Sequence, residues 1–272
     1  MKIVFFCASA YVIPILEKLN DNFEIPLVVT TEDSTSHAVP AFCHANNIPY
    51  LSIENFDKET IKKIKSAGAE IAVLGYFGLL VPPDVLNAFP KGIINTHPSL
   101  LPKYRGPTPV QSAILAGEKE TGMTIIKLDS QLDHGPILAQ KVIEIKESDT
   151  TDSLHRKLFI LGADMMDSVL NSLRKGIEQD HSKASYTEHL TRESGYIKTD
   201  NPPSAEKLDR MIRAYFPWPT TWTRYKLNDH EVIIKLLPEQ KIQVEGKKEV
   251  NYKDFINGYE KASEFLKKIG LN

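Results

Sequence analysis

The chain is poor in cysteine, with two in 272 residues, Cys7 and Cys43. They fall in a predicted strand and a predicted helix, and neither belongs to a metal-ligand spacing. This excludes a disulfide framework and predicts reduced thiols in a cytoplasmic protein. Long apolar runs are missing as well. The opening Met1-Lys2-Ile3-Val4-Phe5-Phe6 soon gives way to Ser9, Glu17 and Lys18, too short for a secretory signal. No stretch is long enough to span a bilayer as a helix. Neither sign of charge is in excess, with 33 Lys+Arg against 35 Asp+Glu. That argues against nonspecific nucleic-acid binding as the main role, while leaving room for a local basic surface.

Several chemical signatures are also missing. There is no G-x-x-x-x-G-K-[ST] loop, no G-x-G-x-x-G after the first strand and no H-E-x-x-H, so nucleoside triphosphates, dinucleotides and a zincin-type metal lack support. No Ser or Cys occupies an activated-nucleophile motif. A covalent acyl-enzyme is therefore disfavoured against direct transfer between two bound substrates.

What is present is an ordinary globular composition, 42% hydrophobic and 25% charged, sufficient for a packed core. Apolar runs at 2–7, 26–30, near Tyr50, at 71–74 and at 92–97 read as strands. Between them lie helical patterns at 12–19, 38–46, 57–67 and 82–87. This alternation predicts a mostly parallel, doubly wound α/β sheet. A helix at 108–116, strands at 121–127 and 137–145, and a long helix at 151–175 complete the first domain, 1–175. A polar linker, 176–203, leads to a small β-rich unit, 204–272. That unit holds a helix at 205–215, short strands at 221–226, 232–236 and 242–244, and two terminal helices near Phe255 and Phe265.

In doubly wound sheets, ligands collect beyond the carboxyl ends of the strands. Gly92-Ile-Ile-Asn-Thr-His97 ends there with Asn95 and His97 two positions apart, hence on one face. Pro98 stops the strand, and Pro102 and Gly106 punctuate the loop that follows. The Gly75–Gly78 segment ends a neighbouring strand, and its glycines let backbone approach a ligand. Asp133 lies in the polar turn Asp129–Pro136. An imidazole that titrates near neutrality, a carboxylate to orient it and an amide to hold an oxyanion suit acyl transfer or proton abstraction beside a carbonyl. Taken singly, Asn95 and His97 also read as a satisfied polar pair, and Asp133-His-Gly135 as a plain turn.

The combination is more specific. Asn95-Thr-His-Pro-Ser-Leu-Leu-Pro-Lys-Tyr-Arg-Gly106, Glu120-Thr-Gly-Met-Thr124 and Leu132-Asp-His-Gly135 together resemble the hallmark run of the folate-dependent formyltransferase family. Tyr186-Thr-Glu-His-Leu190, Ile212–Pro219 and Gln243–Lys248 are similar to its members that formylate methionyl-initiator tRNA. The resemblance implies a Rossmann-like formyltransferase domain, with a shortened OB-like unit behind it. It implies 10-formyltetrahydrofolate as donor, no metal, and Asn95, His97 and Asp133 as catalytic residues. It also implies a folate-contacting segment Ser99-Leu100-Leu101-Pro102, to which Tyr76 and Gly78 are added from the neighbouring strand end.

A monomer acting on initiator methionyl-tRNA is expected, with Arg210, Arg213, Lys247 and Lys248 as candidate phosphate contacts. The competing acceptor is an amino-sugar nucleotide, and a third reading is a non-catalytic folate- or RNA-binding protein. Four departures from the family's pattern stand out, the last two of which bear on the acceptor. Cys7-Ala-Ser9 replaces the family's Gly-Thr-Pro, and His97-Pro-Ser99 its His-Gly-Ser. The usual basic insertion shrinks to Glu32-Asp-Ser-Thr-Ser-His37, and the C-terminal unit is short.

Overall fold

The computed structural model describes residues 1–31, 38–227 and 230–271. They form two compact units. The first comprises 1–109, 120–143 and 155–187; the second comprises 110–119, 144–154 and 188–272. The stretch 176–203 is thus shared, its first twelve residues packing within the first unit.

The first unit is built on a seven-stranded sheet. Its strands are β1 (Lys2–Cys7), β2 (Glu24–Thr31), β3 (Tyr50–Ile53), β4 (Ile71–Gly75), β5 (Ile93–His97), β6 (Glu120–Lys127) and β7 (Ile137–Glu144), in the order β3-β2-β1-β4-β5-β6-β7. Strands β1 to β5 pair in parallel, and β6 runs antiparallel to β5. The near-continuous apolar sequence of β1 is what two covered faces require; from Ile3 to Cys7 every residue is buried. Side chains alternate across it. Val4 and Phe6 join Val29, Ala72, Ile93, Phe77 and Phe89 in one cluster. There the ring of Phe6 meets Phe77 edge-on at 5.4 Å and Phe89 at 6.1 Å.

Helices α1 (Ile13–Asn22), α2 (Ala38–Ala45), α3 (Lys58–Ser66), α4 (Pro83–Leu86), α5 (Pro109–Ala116) and α6 (Thr151–Ser172) follow. Three of the starts have a clear local cause. Pro14 occupies the first turn of α1, where its missing N–H costs nothing. Asp57 caps α3 by accepting from the Thr60 N–H at 2.7 Å. At α6, Ser153 N–H donates to Thr150 Oγ1 at 3.2 Å while Thr150 N–H donates back to Ser153 Oγ at 3.1 Å, a reciprocal cap. The apolar pattern of α6 predicts a helix to 175, but it ends at Ser172. Leu173 turns out at φ +28, and the chain then pairs Ile177 with Ile137 through two backbone hydrogen bonds of 2.8 and 2.9 Å.

The second unit carries α7 (Ala205–Ala214) and a four-stranded sheet. Its strands β8 (Thr221–Leu227), β9 (His230–Leu237), β10 (Lys241–Val244) and β11 (Glu249–Asn251) lie in the order β11-β10-β9-β8. Strand β8 pairs antiparallel with β9, β9 with β10, and β10 with β11, so the sheet is an open meander. β11 carries only one half-buried residue, Val250, between two exposed ones, which left it unmarked in the sequence. Helices α8 (Tyr252–Gly258) and α9 (Ala262–Lys268) close the unit through Phe255 and Phe265, 6.0 Å apart edge-on.

Candidate active site

Strand β5 is buried at every position, and its end delivers two polar side chains into that burial. Asn95 is 7% exposed and His97 is 4% exposed. Buried polar atoms need partners, and these find theirs in a third group. Asn95 Nδ2 donates to Asp133 Oδ1 at 3.1 Å, and His97 Nδ1 lies 3.5 Å from Asp133 Oδ2. The other imidazole nitrogen, Nε2, donates to the Tyr104 carbonyl at 2.9 Å. A carbonyl only accepts, so Nε2 carries a proton. Asp133 Oδ2 also accepts from the Gly106 N–H at 2.8 Å. The carboxylate is thereby held by an amide side chain and a backbone N–H, with the imidazole beside it.

The loop after β5 is shaped by its own hydrogen bonds. Ser99 Oγ donates to the Lys103 carbonyl at 2.7 Å. Thr124, fully buried on the adjacent β6, is a hub: its Oγ1 donates to the Ser99 carbonyl at 2.6 Å and accepts from the Leu101 N–H at 3.2 Å. Gln140 on β7 adds its Nε2 to Thr124 Oγ1 at 2.8 Å and to the Leu101 carbonyl at 3.0 Å. The Leu101–Pro102 bond is cis. Gly106 takes φ +110, where a Cβ would come within 2.9 Å of Thr187 atoms, so the position requires glycine. Residues 185–187 close the loop from outside. Ser185 Oγ accepts from the Tyr104 N–H at 2.8 Å, and the Thr187 N–H donates to the Arg105 carbonyl at 2.7 Å.

Asp133 comes from the turn between β6 and β7, at φ +47. Gly135 beside it has no room for a Cβ against the Lys127 carbonyl. Gln179 Nε2 donates to the carbonyls of both Asp133 and Gly135, at 2.9 and 2.8 Å.

The structure thus brings Asn95, His97 and Asp133 together: the first two share a strand face, as their spacing predicts, and the turn after β6 carries Asp133 to them. Ser99, Leu101 and Pro102 lie on the adjoining loop, with Leu100 between them. Tyr76 (φ +51) and Gly78 (φ +79) follow β4. Its last residue, Gly75, pairs with Thr96 of β5, so that loop starts one strand over. Tyr76 is 42% exposed, whereas Phe77 is core. Four polar supports received no role from the sequence: Thr124 and the buried Arg105, which lie inside the quoted runs without standing out in them, and Gln140 and Gln179, which no motif marks.

The four candidate phosphate contacts divide. Arg210 is paired with Glu206 and packs its guanidinium over Gly117. Arg213 is bound to Asp209 at 2.8 Å and to the Asp149 carbonyl at 3.2 Å. Lys247 and Lys248 are exposed on the turn between β10 and β11. The segment Glu32–His37 lies outside the described residues. Among the described residues, no group of three or more His, Cys, Asp or Glu could hold a metal ion, and no helix is long and apolar enough to cross a membrane.

Comparison with known proteins agrees with this geometry. The family model described as formyl transferase matches residues 3–170. The chain is 35% identical over 241 residues to a methionyl-tRNA formyltransferase of Roseiflexus sp. (strain RS-1), covering 83% of this chain and 74% of that one. Among solved structures, a methionyl-tRNA formyltransferase from Clostridium thermocellum aligns with a TM-score of 0.64 at 19% identity, over 92% of this chain and 99% of that one. A sugar N-formyltransferase from Shewanella sp FDAARGOS_354 aligns with a TM-score of 0.69 at 17% identity, over 88% of this chain and 98% of that one. At such identities the two structures speak for the fold, while the family match and the sequence relative speak for descent: the chain belongs to the formyl transferase family of enzymes.

Proposed function

We propose that this enzyme transfers the formyl group of 10-formyltetrahydrofolate to the α-amino group of methionyl-initiator tRNA. One observation carries the chemistry: Asn95, His97 and Asp133 meet in one buried, hydrogen-bonded cluster at the carboxyl end of β5. The relative from Roseiflexus, similar over most of both chains, supports the acceptor.

In this reading the free amine attacks the formyl carbon and a tetrahedral oxyanion forms. The Asn95 amide donates to that oxyanion through its second N–H as charge develops, and the His97 imidazole joins it by turning its Nε2–H from the Tyr104 carbonyl. Collapse breaks the bond from the formyl carbon to N10 of the folate. One proton leaves the former amine nitrogen and one is delivered to N10. Asp133 holds His97 in place and takes part in that proton transfer. The ordered loop at Ser99–Pro102, with Tyr76 and Gly78 beside it, receives the pterin, and holding both substrates contributes through proximity.

Residues 1–175 are assigned as the catalytic domain, 176–203 as the connection and 204–272 as the acceptor-side domain, acting as a cytoplasmic monomer. The sequence of Glu32–His37, with two acids and no Lys or Arg, favours a second acceptor, an amino-sugar nucleotide, because it offers no cation to a tRNA phosphate.

A formylation assay offering charged initiator tRNA and dTDP- or UDP-linked amino sugars in parallel decides between them. Formyl transfer to the tRNA is expected. Turnover of the sugar alone replaces the acceptor, and turnover of neither with an intact fold removes the enzymatic reading.

A further inference from the structure

The carboxylate of Asp133 sits on a turn held from within by Asp129, which accepts from the Gln131 N–H at 2.8 Å and meets His134 Nδ1 at 2.7 Å, and from outside by Gln179. Asp133 is at φ +47, a region an L-residue enters at a cost. The two carbonyls of this turn, from Asp133 and Gly135, both accept from Gln179 Nε2, at 2.9 and 2.8 Å. Because carbonyls only accept, the orientation of the amide is unique. Its oxygen must point the other way, and there Oε1 accepts from Arg105 Nη2 at 2.7 Å.

Arg105 is 1% exposed. Its remaining side-chain partners are His181 Nδ1 at 2.9 Å and the Tyr186 hydroxyl at 3.3 Å, and its Nε has no hydrogen-bond partner. None of these partners is a carboxylate. Burying a guanidinium without a counter-ion is costly, and an apolar residue would fill the space at lower cost. What the arginine does here is tie the Gln179 amide to His181 and to Tyr186, over whose ring it also lies at 5.8 Å. Its chain neighbour Gly106 meanwhile donates its N–H straight to Asp133 Oδ2 at 2.8 Å. Two adjacent residues of one loop therefore fix the same aspartate, one at its carboxylate and one, through Gln179, at its backbone.

We infer that Gln179, oriented by Arg105, is a positioning residue for Asp133, setting the carboxylate against Asn95 and His97 without itself touching substrate. This rests on the formyl-transfer reading above. A misplacement of about 1 Å in such a group costs roughly a hundredfold in rate, while substrate binding on the Ser99–Pro102 loop is untouched.

The test compares Gln179→Leu, Gln179→Glu, Arg105→Lys and Arg105→Met with the unaltered enzyme, using 10-formyltetrahydrofolate and whichever acceptor that enzyme uses. Gln179→Leu is expected to lower kcat by roughly ten- to a hundredfold, with the KM for the donor within about threefold. Gln179→Glu is the sharper variant. As a carboxylate it opposes both carbonyls, but once protonated it regains an O–H donor. Because the Arg105 guanidinium 2.7 Å from Oε1 holds a carboxyl there ionised, the ratio of its kcat to that of Gln179→Leu should rise only as pH falls below the ordinary carboxylate range. Lost packing alone would leave that ratio flat. Arg105→Lys, which keeps a donor for Oε1, should retain more kcat than Arg105→Met, and this pair decides the matter if the Gln179 variants do not fold. The inference is overturned if Gln179→Leu keeps kcat within twofold, if the loss appears only in KM, or if the two Arg105 variants fall equally. An unaltered enzyme that moves no formyl group overturns the functional reading itself, whereas a working one with undiminished variants overturns only this inference.

Discussion

The Nε2–H of His97 is bound to the Tyr104 carbonyl across 2.9 Å, so the ring can meet Asp133 only through Nδ1. That nitrogen lies 3.5 Å from Asp133 Oδ2, near enough for the two to pass a proton between them during transfer. The pair is thus a unit in which either partner depends on the other.

His97→Gln and Asp133→Asn should each lower kcat by about 10²–10⁴-fold, and the double variant should lose little more than the worse single one. Thermal unfolding of both should stay cooperative. Single-turnover formyl transfer checks the rate, and additive losses in the double variant would show that the two act separately.

The Thr124 hydroxyl joins three groups of the loop at once, from the Ser99 carbonyl to the Leu101 N–H and the Gln140 amide. Thr124→Val keeps the shape and strips all three bonds, leaving buried groups unpaired at about 1–3 kcal/mol. If the loop receives the pterin, the donor KM should rise at least fivefold with kcat nearly unchanged. A Tm loss with an unaltered KM would place the pterin elsewhere.

Burial holds both thiols protonated. That of Cys43 is pushed up to about 11, and that of Cys7 is raised by burial and by its neighbour Cys43. In the native protein at pH 8, neither should react with a disulfide-exchange reagent on a time scale of minutes, whereas both should in denaturant. The linkage sign follows. The unfolded thiols ionise above about 8.5 while the folded ones keep their protons, so the unfolded state binds fewer protons and stability falls as pH rises from there toward 11. Denaturant midpoints at pH 8 and pH 10 measure it; a higher midpoint at pH 10 would contradict the burial.

Much of this was legible in the sequence, and the reason is local. The strands of the first unit are apolar runs punctuated by Gly and Pro, and Asn95 and His97 advertise themselves by standing at a spacing of two on one such run. Asp133 is visible through the turn that carries it. The supports are not: Gln179 acts 46 residues from Asp133, in a stretch whose polarity reads as linker. Its amide matters only because the fold brings two carbonyls to it. β11 was hidden for a related reason, since the alternation of three residues at a sheet edge is too short to detect.

The four candidate phosphate contacts offered as one set should separate in experiment. Arg213 is occupied by Asp209 and the Asp149 carbonyl, with its side chain only 15% exposed, so Arg213→Ala should lower Tm and leave tRNA affinity nearly as it was. Exposed Arg pairs contribute little, but this one also caps a backbone carbonyl. Lys247 and Lys248 sit on a turn whose Gly246 takes φ +72, exposed and adjacent, so their substitution touches no packing. If this turn meets the acceptor's backbone, Lys247→Ala with Lys248→Ala should weaken tRNA binding. The slope of log K against log salt should then become shallower by roughly one to two units, with Tm unchanged. An unchanged slope would leave both lysines as a solvated turn and move the search for phosphate contacts to other cations of the chain.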